Sequence, residues 1–246
     1  MTHRLTTLLL AHRQAGTPII DLPADLVPAN AAEAFAIQDE TVSALGPVGA
    51  WKVTPLGPEM FCSPILATDV HTDGATLNKA DYRGLEIEVE IAVTIGTDLP
   101  AKAGGYTPAD LKTAVSSLHV VLEILATRYP SRTAAPKLAG IADLQSNGAV
   151  VVGPAVSPAD WPEFGAQALS LSFDGTEVQT SPGNSTTENV LAALAWLANN
   201  AAARNLPLKA GDVVITGARL GPKALEAGIR VTAEAPGLGT VSARFV

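Results

Sequence analysis

Leu85-Glu86-Ile87-Glu88-Val89-Glu90-Ile91-Ala92-Val93-Thr94-Ile95 alternates carboxylates with β-branched and aliphatic side chains. A period of two is what a strand imposes, so Ile87, Val89 and Ile91 fall on one face and Glu86, Glu88 and Glu90 on the other. Same-face neighbours on a strand stand roughly 7 Å apart. Like charges at that range are tolerable in water and costly in a cleft unless a cation neutralises them. The row therefore reads either as the wet outer face of an antiparallel strand or as a source of oxygen ligands for a hard divalent ion such as Mg²⁺.

A second stretch favours the ion. Leu118-His119-Val120-Val121-Leu122-Glu123-Ile124-Leu125 is apolar on both faces, the pattern of a strand covered on both sides, with a carboxylate near its middle. A buried glutamate needs a partner, because an unpaired buried charge shifts its own pKa first. One shared metal would satisfy all the carboxylates together.

Glu88-Val89-Glu90-Ile91-Ala92 followed by Leu122-Glu123-Ile124 resembles the Glu-x-Glu then Glu arrangement of the fumarylacetoacetate hydrolase superfamily. The chain is most similar to its hydratase and decarboxylase branch. Further anchors of the resemblance are Gly49-Ala50-Trp51-Lys52-Val53, Asp143-Leu144-Gln145-Ser146-Asn147-Gly148, Ala210 to Gly217, and Gly237-Leu238-Gly239. The resemblance implies an α+β fold, a mixed β-sheet roll with peripheral helices, preceded by a small helical N-terminal portion. It divides the chain into residues 1–47 and a metal-binding catalytic domain of residues 48–246.

The resemblance also implies a chemistry. Glu88, Glu90 and Glu123 would bind Mg²⁺ or Mn²⁺, with Glu86 and Glu88 as the other possible register. Lys52 would be the active-site lysine, acting as acid or electrostatic stabiliser. Asp69 corresponds to an aspartate near the active site, and Asp143 would hold a water or orient Lys52. The implied activity is metal-dependent addition of water to an unsaturated 2-oxo acid, giving a 4-hydroxy-2-oxo acid. Decarboxylation of a 2-oxo-3-enedioate and non-catalytic binding of oxo acids are the alternatives. Three positions depart from the relatives: Thr54-Pro55-Leu56-Gly57 after the lysine, Ala126 two residues before Arg128, and Leu144 after Asp143. The first predicts a reshaped loop and pocket.

Composition bounds the class of the chain. The chain has 246 residues, of which 47% are apolar, enough for a full core. A net charge of −8 argues against nucleic acid as partner. The single cysteine, Cys62, offers no disulfide and points to the cytoplasm, and no activating base lies near it in sequence. No stretch approaches the roughly 20 apolar residues of a membrane span. Leu8-Leu9-Leu10-Ala11 reads as part of an amphipathic helix, not a leader peptide. The relatives lead us to expect a homo-oligomer.

Elsewhere the pattern predicts a helix opened by Asn30 with Glu33 three residues on, bearing an apolar stripe of Phe35, Val42 and Leu45. It predicts a short helix from Pro108, a hairpin of Leu169 to Phe173 with Glu177 to Thr180 about Asp174-Gly175, and a long helix from Glu188 to about Arg204. Asp212 to Thr216, Ile229 to Ala235 and Val241 to Val246 read as strands. The polar segment between Ala126 and Gly148 reads as a cover over the site. His119 reads as a satisfied core histidine and His71 as a loop residue.

Overall fold

A computed structural model describes residues 2–54, 57–159 and 161–246. Pro55 and Leu56, in the loop expected to be reshaped, lie outside the described residues. The chain folds as α+β, with strands β1 (Val48–Val53), β2 (Cys62–Leu66), β3 (Val70–Thr72), β4 (Ala75–Leu77), β5 (Glu86–Ile95), β6 (Val115–Leu125) and β7 (Asn147–Val152), then β8 (Leu169–Phe173), β9 (Thr176–Ser181), β10 (Val213–Ala224), β11 (Arg230–Ala235) and β12 (Gly239–Phe245).

Seven of these form one mixed sheet in the order β2-β1-β10-β5-β6-β7-β3. Its two edge strands, β2 and β3, are consecutive in the chain and joined only by the short turn Ala67–Asp69. The sheet is therefore curled until its margins nearly meet. Its outer face carries Ile87, Val89, Ile91, Val93 and Ile95, packed in the main core with residues of the second sheet, such as Leu171, Val231 and Val241. That second sheet runs β4-β12-β11-β8-β9. The inner face is plugged by smaller aliphatics, among them Ala50, Ile65, Ala92, Val121 and Ile215.

Helices occupy the periphery. α1 (Arg4–Ala15) ends on Gly16, whose φ of 64° closes the helix in the left-handed region. In α2 (Ala31–Leu45) the Asn30 side chain accepts from Glu33 N–H, as predicted, but the Glu33 carboxylate turns to Ala29 N–H instead of completing the box. Phe35 and Val42 of its stripe are buried, whereas Leu45, the last residue of the helix, is exposed. α3 (Pro108–Ala114) has a complete capping box between Thr107 and Asp110. α4 (Lys137–Ala142) joins α1 and α2 in a separate apolar cluster with Leu5, Leu9, Ile37, Tyr129 and Ala139. α5 (Thr187–Ala203) is capped by Thr186, one residue earlier than the pattern suggested, and lays Val190, Leu194 and Leu197 into the main core. Among the described residues no helix is long and apolar enough to cross a membrane.

Candidate metal centre

Strand parity settles which carboxylates meet. β5 pairs antiparallel with β6 in a register that sets Glu88 directly opposite Glu123. Glu90 follows Glu88 on the same face, and Lys52 of β1 lies on that inner face two residues after Ala50. Oxygens of Glu88, Glu90 and Glu123 all lie within 4.8 Å of one another. Glu86, the other possible ligand of the row, is drawn away: its Oε2 accepts from Arg132 Nε at 2.7 Å.

Each member of the cluster is held. Lys52 Nζ donates to Glu123 Oε1 at 2.5 Å and to the Gln145 carbonyl at 3.4 Å. Asn147 Nδ2 donates to the same Glu123 oxygen at 3.0 Å. Glu90 Oε2 accepts from Gly217 N–H at 2.6 Å. The Gly217 peptide is fixed in turn by Arg219, whose Nη1 donates to the carbonyls of Thr216 and Gly217, while Thr216 Oγ1 ties back to Ile91 O on β5 at 2.7 Å. Gln145 reaches Lys52 because Leu144, Gln145 and Ser146 have φ of 48°, 50° and 58°. Three successive left-handed residues other than glycine are strained, at about 1–2 kcal/mol each, and such strain collects where backbone groups must be aimed.

The electrostatics call for a cation. Glu123 is fully buried and Glu90 nearly so, with Glu88 half-buried. Burial first, and then the neighbouring Glu123 charge, push the Glu90 carboxyl well above the usual carboxylate range; the same two causes raise Glu88. Burial works to lower the Lys52 ammonium pKa, but Glu123, Glu90 and Glu88 outweigh it, and the net shift is upward. Glu123 Oε2 is buried and has no hydrogen-bond partner among the described residues. One lysine does not balance three carboxylates, and a buried carboxylate oxygen without a partner beside two further carboxylates is what a hard divalent ion completes.

The cluster opens into a cavity of about 320 Å³, bordered by Lys52, Glu88, Glu90, Arg132, Lys137 and Gly217. One wall is built by Arg132, Lys137, Gly140, Ile141, Gln145 and Ser146, from within the polar segment between Ala126 and Gly148. Asp69 and Asp143 stand elsewhere. Both Asp143 oxygens are taken by Arg128, Oδ1 from Nε at 2.5 Å and Oδ2 from the backbone N–H at 3.0 Å. Asp69 borders a separate cavity of about 270 Å³ with Arg13, His71 and Arg128; burial raises its carboxyl while Arg13 pulls it down. Neither borders the opening that holds Lys52. Gly217 and Gln145 fall within stretches that carry the family resemblance, and the glycine allows the close backbone approach seen at Glu90; sequence reasoning singled out neither Arg219 nor Arg132.

Two remaining candidates are plainly structural. His119 Nδ1 meets the Gly153 carbonyl at 2.8 Å and Nε2 the hydroxyls of Thr94 and Ser117, which satisfies the ring. Cys62 is buried, and burial pushes its thiol up to about 12.

Comparison with known proteins agrees with this geometry. Residues 33–246 match the family model described as fumarylacetoacetate (FAA) hydrolase C-terminal. A 2-keto-4-pentenoate hydratase of Burkholderia vietnamiensis is 32% identical over 182 residues, covering 74% of this chain and 68% of that protein. A 4-oxalocrotonate decarboxylase of a Pseudomonas species is 30% identical over 171 residues, covering 69% and 64%. Among solved structures, 4-oxalocrotonate decarboxylase from Pseudomonas putida G7, complexed with magnesium and adipate, superposes with a TM-score of 0.87 at 20% identity, over 100% of this chain and 97% of that one.

Proposed function

The chain belongs to the fumarylacetoacetate hydrolase family, and from that membership we propose that it is a divalent-metal-dependent hydro-lyase, adding water to a 2-hydroxydienoate or unsaturated 2-oxo acid to give a 4-hydroxy-2-oxo acid. The observation that carries the reading is the convergence of Glu88, Glu90 and Glu123 beside Lys52, with Lys52, Glu88 and Glu90 bordering one cavity.

Glu88, Glu90 and Glu123 would hold Mg²⁺ or Mn²⁺. Bound there, the ion supplies Lewis-acid polarisation of a 2-oxo group and offsets the negative charge that develops on its oxygen. The protein's own groups do the rest. Lys52 Nζ, held by Glu123 Oε1 and the Gln145 carbonyl, would serve as a fixed donor toward developing negative charge. Gly217 N–H and Asn147 fix the orientation of Glu90 and Glu123. Residues from Arg132 to Ser146 line one side of the opening.

Asp143 acts in this reading through Arg128, bracing the wall, and Asp69 contributes at the neighbouring cavity. The same reading expects a homo-oligomer in the cytoplasm, which light scattering and fractionation test. The deciding experiment follows loss of dienol absorbance from 2-hydroxypenta-2,4-dienoate with and without Mg²⁺, and scores CO₂ release from a 2-oxo-3-enedioate in parallel. Metal-dependent hydration is expected. CO₂ release without hydration would make it a decarboxylase, and binding with no turnover of either would remove it from the enzymes.

A further inference from the structure

Two of the buried side-chain atoms left without a hydrogen-bond partner among the described residues belong to the site: Glu123 Oε2, which the metal reading uses, and Gln145 Oε1, which it does not. Gln145 borders the cavity with Lys52, and its main-chain carbonyl accepts from Lys52 Nζ at 3.4 Å. A buried amide oxygen without a donor is costly, and native folds leave few of them. The backbone at this residue is costly as well. Gln145 is the middle one of three consecutive residues with φ between 48° and 58°, a conformation that glycine and asparagine accept more readily than glutamine. Strain of this kind persists where the surrounding fold over-determines it, and it gathers at functional sites.

None of the cationic groups bordering the cavity donates to this oxygen. Lys52 Nζ goes to Glu123 Oε1 and to the Gln145 main chain, Arg132 Nε to Glu86, and Lys137 Nζ to Glu59. The donor that fits therefore comes from what enters the cavity. The form of the substrate that takes up water, an unsaturated 2-oxo acid ionised at its carboxyl, carries no O–H or N–H. Its co-reactant, water, carries two O–H donors. A cavity of about 320 Å³ accommodates one water, about 30 Å³ in the liquid, beside a small acid.

We propose that Gln145 seats the water that is added: Oε1 accepts from one O–H of that water and so turns an oxygen lone pair toward the substrate. This rests on the reading of the site as that of a metal-dependent hydro-lyase. In the net reaction a lone pair of the water oxygen forms the bond to C4 of the unsaturated 2-oxo acid, the C3–C4 π pair ends as a C3–H bond, and the proton lost from the water balances the one gained at C3. Gln145 neither gains nor loses a proton. Its contribution is orientation, and misplacing a reactant by about 1 Å costs about a hundredfold in rate.

The test uses Gln145→Met, which keeps the length of the side chain and the carbonyl at Lys52 but removes the amide, and Gln145→Gly, which removes the amide and accepts a φ of 50° without strain. The full chain, loaded with Mg²⁺, is given 2-hydroxypenta-2,4-dienoate, and proton NMR separates the ketonised acid from the hydrated product. Both variants are expected to hydrate about a hundredfold more slowly than the wild type and to let the ketonised acid accumulate. By calorimetry both should bind Mn²⁺ and the saturated 2-oxopentanoate within about threefold of the wild type, short of the 10–100-fold that loss of a metal's supporting group costs. Gln145→Gly should also melt no lower than the wild type, so that its slow hydration does not come from a weakened fold; it decides the matter if Gln145→Met folds poorly. Hydration that survives in both variants overturns the role of Gln145 alone. A fall in Mn²⁺ or 2-oxopentanoate affinity equal to the fall in hydration makes Gln145 a mere support of Lys52 and the carboxylates, and overturns it too. No hydration by the wild-type protein, with Mn²⁺ and 2-oxopentanoate still bound, removes the assigned activity and the seat for water with it.

Discussion

At the scale of single residues, the difference between Glu86 and Glu90 is the sharpest consequence of strand register. Glu90→Gln keeps an acceptor for Gly217 N–H but removes a charged oxygen from the cluster. Loss of an outer-shell partner alone costs metal sites about 10–100-fold, so Mn²⁺ affinity should fall by at least about a hundredfold and turnover with it. Without metal, the melting temperature should hold or rise, because a buried like charge is gone. Glu86→Gln should change metal affinity less than about threefold. Calorimetry on both variants checks this, and the opposite pattern would move the ligand set to Glu86 and Glu88. The alternating period made Glu88 and Glu90 legible, and an acid inside a two-faced apolar run made Glu123 legible. Motif position did not show which cations would fold against Asp69 and Asp143, here Arg13 and Arg128.

Cys62 gives a second test at this scale. Its thiol rises from the ordinary 9.0 to about 12, chiefly by burial. A group held protonated by the fold stabilises it fully below the unfolded pKa, and that contribution fades as pH climbs from about 9 towards 12. Urea midpoints should therefore drop between pH 8 and pH 10.5 more steeply in the wild type than in Cys62→Ser, and thiol reagents at pH 8 should label Cys62 only after unfolding. Equal slopes for the two proteins would show that the thiol does not titrate with the fold.

At the scale of elements, β5, β6, α5 and the β8–β9 hairpin follow from periodicity and turn chemistry, Asp174 and Gly175 taking the positive φ of 47° and 82° that a two-residue hairpin loop wants. β2, β3 and β4 were hidden among prolines and glycines, which read locally as loop. β10 continues eight residues past Thr216 because Gly217, Gly221 and Pro222 are absorbed as irregularities of its pairing with β5 instead of ending it. Gly221 matters there. Its φ is +104°, and a Cβ would come within 2.6 Å of Ile87 O and 3.1 Å of Glu88 Cα. Gly221→Ala should cost about 1–3 kcal/mol from backbone strain, and should also weaken metal binding, because the atoms that must yield belong to Glu88. Urea unfolding and Mn²⁺ titration of the same variant measure the two effects; a loss of stability with unchanged metal affinity would separate Gly221 from the site.

At the scale of the molecule, the cluster links stability to metal. An ion that binds only the folded protein adds about 2.7 kcal/mol at a hundred times its dissociation constant, and a chain of this size gains about 2–4 °C per kcal/mol. Saturating Mg²⁺ should thus raise the melting temperature by about 5–10 °C, EDTA should reverse the rise, and Glu90→Gln should abolish it. A melting temperature indifferent to Mg²⁺ in the wild type would contradict the site. The overall class, α+β with a mixed roll, was readable from the mixture of strands and scattered helices. The partnership of α1 and α2 with α4 was not, since it depends on contacts such as Gln38 Nε2 to Ile141 O at 2.7 Å, between residues far apart in sequence.

The meeting of β2 and β3 across Ala67–Asp69 has a colloidal consequence. The two edge strands of the rolled sheet are only five and three residues long, which offers a foreign strand little ribbon to zip onto. In the smaller sheet, β4 is only three residues long, which leaves β9 as the lengthy free border. There Thr176, Glu177, Gln179 and Thr180 make a hydrophilic, partly charged margin, a poor seed for fibril growth even in a crowded, protein-dense milieu.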